Sequence, residues 1–237
     1  MGMATDISGR RSQESHGRAS RGGIGGQART RLARAAVVQA ARALFLERGY
    51  AATTIEAISD TSDVPPATVY RLFSSKLGIL KALLDLSIAG DDQAAPLQDR
   101  ANARALFADA DPVRQLSGFA GICREINARS APAYQILLSA AGTDPEAAAL
   151  LAEYTRQRQD GQGQIARSLA RSGALRPELK QRDAADIIHA LMSPEVYRLL
   201  VGDRGWPPGR YEQWLKGVLI VQLLPPPATG QIDGTQA

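Results

Sequence analysis

Two adjacent prolines, Pro65 and Pro66, interrupt a stretch that otherwise reads as helix on both sides. An interior proline removes a backbone donor and collides with the preceding turn, whereas a proline in the first turn of a helix is tolerated. One helix must therefore end before Ser62-Asp63-Val64, and another must begin at Pro66. Upstream, Thr53 followed three residues later by Glu56 matches a capping box. With Ile55 and Ile58 facing inward, this predicts a short helix over 53–61. Downstream, a third helix is predicted over 66–72. Ser74 and Ser75 then offer a cap for a fourth over 76–89, with Leu77, Leu80, Leu83, Leu84 and Ile88 as its apolar set.

The helical periodicity extends along most of the remaining chain. Leu32, Ala36, Val37, Ala40, Ala41, Leu44 and Phe45 recur at helical spacing and predict a first helix over 29–48, stopped by Gly49. After a linker at 90–96, helices are predicted at 97–109, 112–129, 132–141, 145–171, 182–192, 194–201 and 208–224. Asp111-Pro112, Ala131-Pro132, Asp144-Pro145, Ser193-Pro194 and Pro207-Pro208 mark the breaks, the Asp-Pro and Ser-Pro pairs being cap plus first-position signals. No stretch alternates apolar and polar in the manner of a strand. The expected fold is all-α. An N-terminal three-helix unit of helix-turn-helix spacing (29–89) precedes a C-terminal helical bundle (90–224). Residues 1–28 are expected to be a disordered basic arm and 225–237 a disordered tail, because neither holds enough apolar surface to offset ordering entropy.

Charge separates the two halves. Residues 1–85 carry 12 Lys/Arg against 7 Asp/Glu, while residues 86–237 carry 16 against 17. The positive excess thus lies in the N-terminal third, which suggests a polyanion as its partner. A solvated basic tail is the alternative. The single cysteine, Cys123, excludes an internal disulfide and a Cys-rich zinc site. No apolar run is long enough to span a membrane, and the N-terminus has no apolar core segment of a secretory signal, so a cytoplasmic location is the default. His16 and His189 have no partner spacing for a metal, and Gly22 to Gly26 lacks a phosphate-loop lysine. No catalytic constellation, metal or cofactor is expected, and an enzyme is the least favoured class.

Residues 31–84 resemble the DNA-binding domain of the TetR/AcrR family. The elements occur in order: Ala40-Ala41, Leu44-Phe45, Arg48-Gly49-Tyr50, Thr53-Thr54-Ile55, Ile58, Val64, Thr68-Val69-Tyr70, Phe73 and Ser75-Lys76. The C-terminal part resembles a subgroup of the same family in LRPEL (175–179), SPEVYRLLV (193–201), RGW (204–206) and RYEQWL (210–215). The resemblance implies a ligand-responsive regulator, a repressor released from a double-stranded DNA operator by a small molecule. An architectural DNA-binding protein without a sensor is the alternative. Thr53 and Thr54 start the second helix, either as caps or as hydroxyls offered to a phosphate. Pro66, Ala67 and Thr68 stand where the family reads bases, with only apolar contacts to offer at Pro66 and Ala67. Arg71 is the strong donor nearby. Tyr70 and Lys76 are expected on phosphates, and Arg29, Arg31 and Arg34 along the backbone or in the minor groove. Phe45 and Tyr50 are expected to pack the core. Asp63 stands where the family commonly has Gly, and Asp tolerates the left-handed conformation.

The last predicted helix carries Trp214, Leu215, Val218, Leu219, Val221, Leu223 and Leu224, more apolar positions than one stripe requires. A second copy of the chain is the natural cover, which makes 182–201 and 208–224 the expected homodimer surface. The alternative is a helix central to its own domain. The expected sensing pocket lies among the helices of 97–171, with Phe107, Phe119, Cys123, Tyr134, Leu137, Tyr154 and Met192 as candidate lining residues.

Overall fold

The structure, a computed structural model, describes residues 21–90 and 100–226. The predicted arm up to residue 20, most of the linker and the tail beyond Pro226 lie outside the described residues. Ten α-helices are described: α1 (Arg21–Ala52), α2 (Ile55–Ser62), α3 (Pro66–Phe73), α4 (Lys76–Ala89), α5 (Ala101–Ala108), α6 (Pro112–Ala141), α7 (Pro145–Arg171), α8 (Gln181–Leu191), α9 (Pro194–Tyr197) and α10 (Pro208–Leu223).

Several boundaries differ from expectation. α1 starts at Arg21 rather than residue 29, so residues 21–28 are helical rather than part of a disordered arm. Once a helix is nucleated by a packed segment, adding residues at its end costs little. Gly49 breaks the same helix as predicted, with φ of 79°. Leu32, counted as part of the buried stripe, is 67% exposed. The predicted helices over 112–129 and 132–141 are one helix, with Pro132 in its interior. The proline forfeits one backbone bond, but Ala131, Ala133 and Tyr134 are all buried, and their packing holds the helix through the fault. The predicted helix over 194–201 stops at Tyr197, and Arg198–Asp203 continues as a wider π-helical turn.

The core has two parts. The first gathers Val37, Phe45, Ile58, Val69 and Leu80 from α1–α4, together with Leu137 of α6 and Tyr154 of α7. The second gathers Leu116 and Phe119 of α6, Ile165 and Leu169 of α7, Ile188 of α8 and Tyr211, Leu215 and Leu219 of α10. The 30 residues of α6 make it about 45 Å long at 1.5 Å per residue, enough to serve both cores. It packs on α1 and α4 at one end and on α10 and α9 at the other.

α10 buries Tyr211, Leu215, Leu219 and Leu223 at four-residue spacing. Trp214 and Val218 remain half-buried and Val221 is 60% exposed. These three lie on a neighbouring stripe that nothing within the described chain covers completely. No described helix is long and apolar enough to cross a membrane.

Candidate DNA-reading head and sensing cavity

The turn between α2 and α3 is built from local chemistry. Asp63 adopts the left-handed conformation (φ 53°) expected of it, and its backbone N–H donates to Ser59 O. The buried Ser59 hydroxyl donates to Val64 O at 2.6 Å, which closes the turn from inside. Pro65 and Pro66 then begin α3 as predicted. Val69 and Phe73 point into the core, while Pro66, Ala67, Tyr70 and Arg71 are exposed. Positions 66, 67, 70 and 71 share one helix face, so the structure brings four of the expected contacts together on a single outer surface. Thr68 is half-buried at its margin. Tyr70, 48% exposed, is presented rather than packed.

The cap of α2 is Thr54, not Thr53. The Thr54 hydroxyl accepts from Ala57 N at 3.1 Å and stays exposed at the helix N-terminus. Thr53 is fully buried, and its hydroxyl donates to Gly49 O at 2.8 Å. It ties the broken end of α1 to the start of α2 and offers nothing to solvent.

Lys76 also departs from expectation. Its ammonium donates to Tyr50 O and Thr53 O, each at 2.8 Å, and lies 4.3 Å from the centroid of the Tyr50 ring. A cation in the first turn of a helix opposes the helix dipole. Here the carbonyls of Tyr50 and Thr53, at and just beyond the end of α1, supply the compensation, not a phosphate. Burial, the largest influence, lowers the Lys76 pKa. Burial likewise raises the Tyr50 phenol to about 12, helped by Asp144 and Glu146. Arg34 behaves similarly: it donates to Leu72 O at 2.8 Å and stacks over Phe73, which caps the end of α3. Arg29 and Arg31 are exposed along α1. Phe45 is buried and lies 5.5 Å from the Tyr50 ring, as expected of core residues.

Gly78 explains how α3 and α4 meet so closely. A Cβ there would stand 2.0 Å from Phe73 O, so only glycine fits beside the turn.

A sequence profile of bacterial regulatory proteins of the tetR family matches residues 37–83, the segment that contains this whole arrangement. This segment is a tetR-family domain. No curated protein sequence matches it. Among solved structures, it is similar to NalD of Pseudomonas aeruginosa, the secondary repressor of the MexAB-OprM multidrug efflux pump. The identity is 21% and the TM-score 0.65, over 82% of this chain and 98% of that one. The complex of SmeT with triclosan is similar at 17% identity and TM-score 0.63, over 81% and 92%. The ketosteroid regulator KstR2 of Mycobacterium tuberculosis follows at 19% and 0.52, over 81% and 95%. At these identities the likeness is one of fold.

A cavity of about 470 Å³ lies between α4 of the head and α5, α6 and α7, within the size range of small-molecule sites. Six of the seven expected residues line it: Phe107, Phe119, Cys123, Tyr134, Tyr154 and Met192. Leu137 does not; it is fully buried in the first core. The sequence reading missed the α4 wall, Leu84, Asp85 and Ile88, and the polar end at Asn127 and Arg158. Asp85 carried a signal, being the one charge within the apolar run from Leu83 to Ala89.

The polar groups around the cavity are mostly engaged. The Tyr154 hydroxyl donates to Asp85 Oδ1 at 2.5 Å and also approaches Lys81 O. Burial first, and then Asp85, raise the Tyr154 pKa, so the phenol stays protonated and remains the donor. Asn127 donates to Cys123 Sγ at 3.3 Å. Burial pushes the Cys123 thiol up to about 12, which keeps it an unreactive thiol. Arg158 lies beside His189 and 3.8 Å from Glu195. Burial and then Arg158 lower the His189 pKa.

The cavity and the reading head share α4. Arg129 of α6 donates to Ser87 O and Ile88 O, and Arg100 donates to Ala89 O, so two guanidiniums hold the C-terminal carbonyls of α4. At its other end, Ser75 caps the helix and Lys76 grips the end of α1.

Proposed function

We propose that this chain is a dimeric, ligand-controlled repressor in which α4 carries the state of the cavity to the DNA-reading head. The observation that carries the reading is the Tyr154 hydroxyl. It belongs to a cavity-lining residue of α7, yet its hydrogen bonds end on Asp85 and Lys81 of α4. A ligand that displaces the Tyr154 ring must also disturb α4, and α4 begins one residue beyond Ser75, next to α3.

On DNA, the exposed face of α3 enters the major groove. Tyr70 and Arg71 reach phosphate or base edges, and Pro66 and Ala67 offer apolar contact to thymine methyls. The Thr54 end of α2 faces a phosphate, where helix N–H groups favour an anion. Arg29 and Arg31 extend the basic surface along α1. Phosphate contacts position the protein; the outer face of α3 supplies what sequence discrimination there is. The stripe of Trp214, Val218 and Val221 on α10, with the neighbouring residues of α8 and α9, receives a second copy. The two recognition helices then meet half-sites about 34 Å apart, and a shift of a few ångströms in α4 misaligns both. NalD, described as a repressor of an efflux pump, and SmeT, described in complex with triclosan, support this class of function. An enzyme is disfavoured, since the groups lining the cavity are engaged in packing and mutual hydrogen bonds rather than in a nucleophile–base arrangement.

The test uses an operator recovered from genomic DNA with the purified protein and a small molecule found by thermal-shift screening. The expected ligand effect on operator affinity is about 5–150-fold, the usual range of allosteric coupling. Tyr154→Phe should reduce that ratio by roughly threefold or more while leaving ligand-free operator affinity in place. Tight ligand binding with no change in operator affinity would refute the proposal.

A further inference from the structure

Phe107 lines the cavity and also a second, more open cleft of about 660 Å³. That cleft is lined by Arg104 of α5, Gln164, Arg167 and Arg171 of α7 and Gln181. Residues 164, 167 and 171 lie at three- and four-residue spacing, so they share one face of α7. Across from them Arg104 projects from α5. Among the described residues, no acidic side chain stands within ion-pair distance of Arg104, Arg167 or Arg171. Several other arginines of the same domain are ion-paired: Arg114 to Asp109, Arg124 to Glu212, Arg198 to Asp203. Like charges four residues apart on a helix are unfavourable. Here a third cation, Arg104, is added to that pair, beside Phe107, the residue that the cleft shares with the cavity.

We propose that this cleft holds the phosphate of an amphiphile whose apolar body occupies the cavity, with Phe107 as the wall between the two parts. The proposal rests on reading the cavity as the ligand site and adds the class of ligand. Three planar guanidiniums from two helices can each give parallel N–H donors, and a phosphate has enough oxygens to receive them, whereas a single carboxylate does not. Gln164 and Gln181 supply neutral donors at the margin. The cavity itself is walled by Leu84, Ile122 and Ile165 and suits a hydrocarbon.

Calorimetry on the full-length dimer would compare dodecanol, dodecanoate and dodecyl phosphate, with a dodecanoyl thioester of a phosphorylated nucleotide carrier as the second source of the same chemistry. Dodecyl phosphate should bind about tenfold or more tightly than dodecanol, as charge-assisted hydrogen bonds to arginine warrant. The Arg167→Gln/Arg171→Gln variant should erase that advantage and leave dodecanol affinity unchanged. These side chains are exposed, so the variant should keep the wild-type Tm. A thioester that binds more tightly still identifies a carrier-bound acyl group as the source. Equal affinity for alcohol and phosphate in the wild type overturns the proposal, as does an equal loss for both ligands in the variant. A variant that dissociates the dimer without changing the phosphate preference makes the cleft a subunit contact and also overturns it. Arginine-dependent binding of dodecyl phosphate that leaves operator affinity unmoved upholds the phosphate site and defeats the repressor mechanism instead. Failure of every alkyl compound to bind removes both.

Discussion

The two halves of this chain solve opposite packing problems. In the reading head, short helices of 8 residues are pinned by side chains that reach back to carbonyls: Lys76 to the end of α1, Arg34 to the end of α3, Ser59 across the turn. Isolated helices that short are not stable, so their geometry depends on these caps and on a filled core around Phe45. The C-terminal half is dominated by the long helices α6 and α7, and a cavity of about 470 Å³ lies between them, α5 and α4. The contrast separates two duties. On the function proposed above, the head presents one face of α3 in one orientation, and the cavity leaves free volume in which a ligand would change how the helices pack.

The sharpest way to break that comparison is to make the same truncation in both halves. Phe45→Ala removes a ring that is 2% exposed in a filled core and should cost about 3–5 kcal/mol. Phe119→Ala removes a ring that already faces the cavity, so fewer contacts are lost, and the cost should be roughly half as large. Urea denaturation of both variants checks this, and equal losses would mean that the sensor core is as tightly filled as the head.

A smaller effect distinguishes pinning from DNA contact. Lys76→Met leaves the carbonyls of Tyr50 and Thr53 without their donor and should cost about 1–3 kcal/mol in stability. Because the ammonium is spent on carbonyls, the salt dependence of operator binding should stay as in the wild type. A slope reduced by about one counterion per subunit would return Lys76 to a phosphate.

The smallest effect concerns the polar end of the cavity. Burial and Arg158 depress the His189 pKa below its ordinary 6.5. Native His189 therefore stays neutral at pH values where the unfolded chain begins to take up a proton. The unfolded state then binds more protons, so stability falls as pH drops through about 6.5 toward the folded value. His189→Gln should flatten this part of the stability profile. A profile unchanged by the substitution would show that His189 titrates alike in both states.

Much of the head was legible because its signals are local. The break at Pro65-Pro66, the left-handed turn at Asp63, the stop at Gly49 and the burial of Phe45 follow from backbone sterics and helical spacing within a few residues. The cavity was legible in part: aromatic and sulfur-bearing residues at helical spacing pointed to six of its lining residues. Leu137 differs from them only in which neighbour it meets, and helical spacing carries no such information. The capping box placed on Thr53 failed by one residue, because the buried Thr53 hydroxyl is claimed by Gly49 O before it can cap α2.

What the sequence alone determined was therefore the all-helical character and the helix-turn-helix, each set by interactions between residues close along the chain. Tertiary structure decided the rest. Lys76 became a clamp because the end of α1, 26 positions earlier, lies beneath it. α6 ran through Pro132 because its neighbours pack on both sides of the fault. Tyr154 became the link to α4 because folding brings it to Asp85, 69 positions away. Such pairings depend on how whole helices cross, and no periodicity within one helix encodes the partner that another will bring.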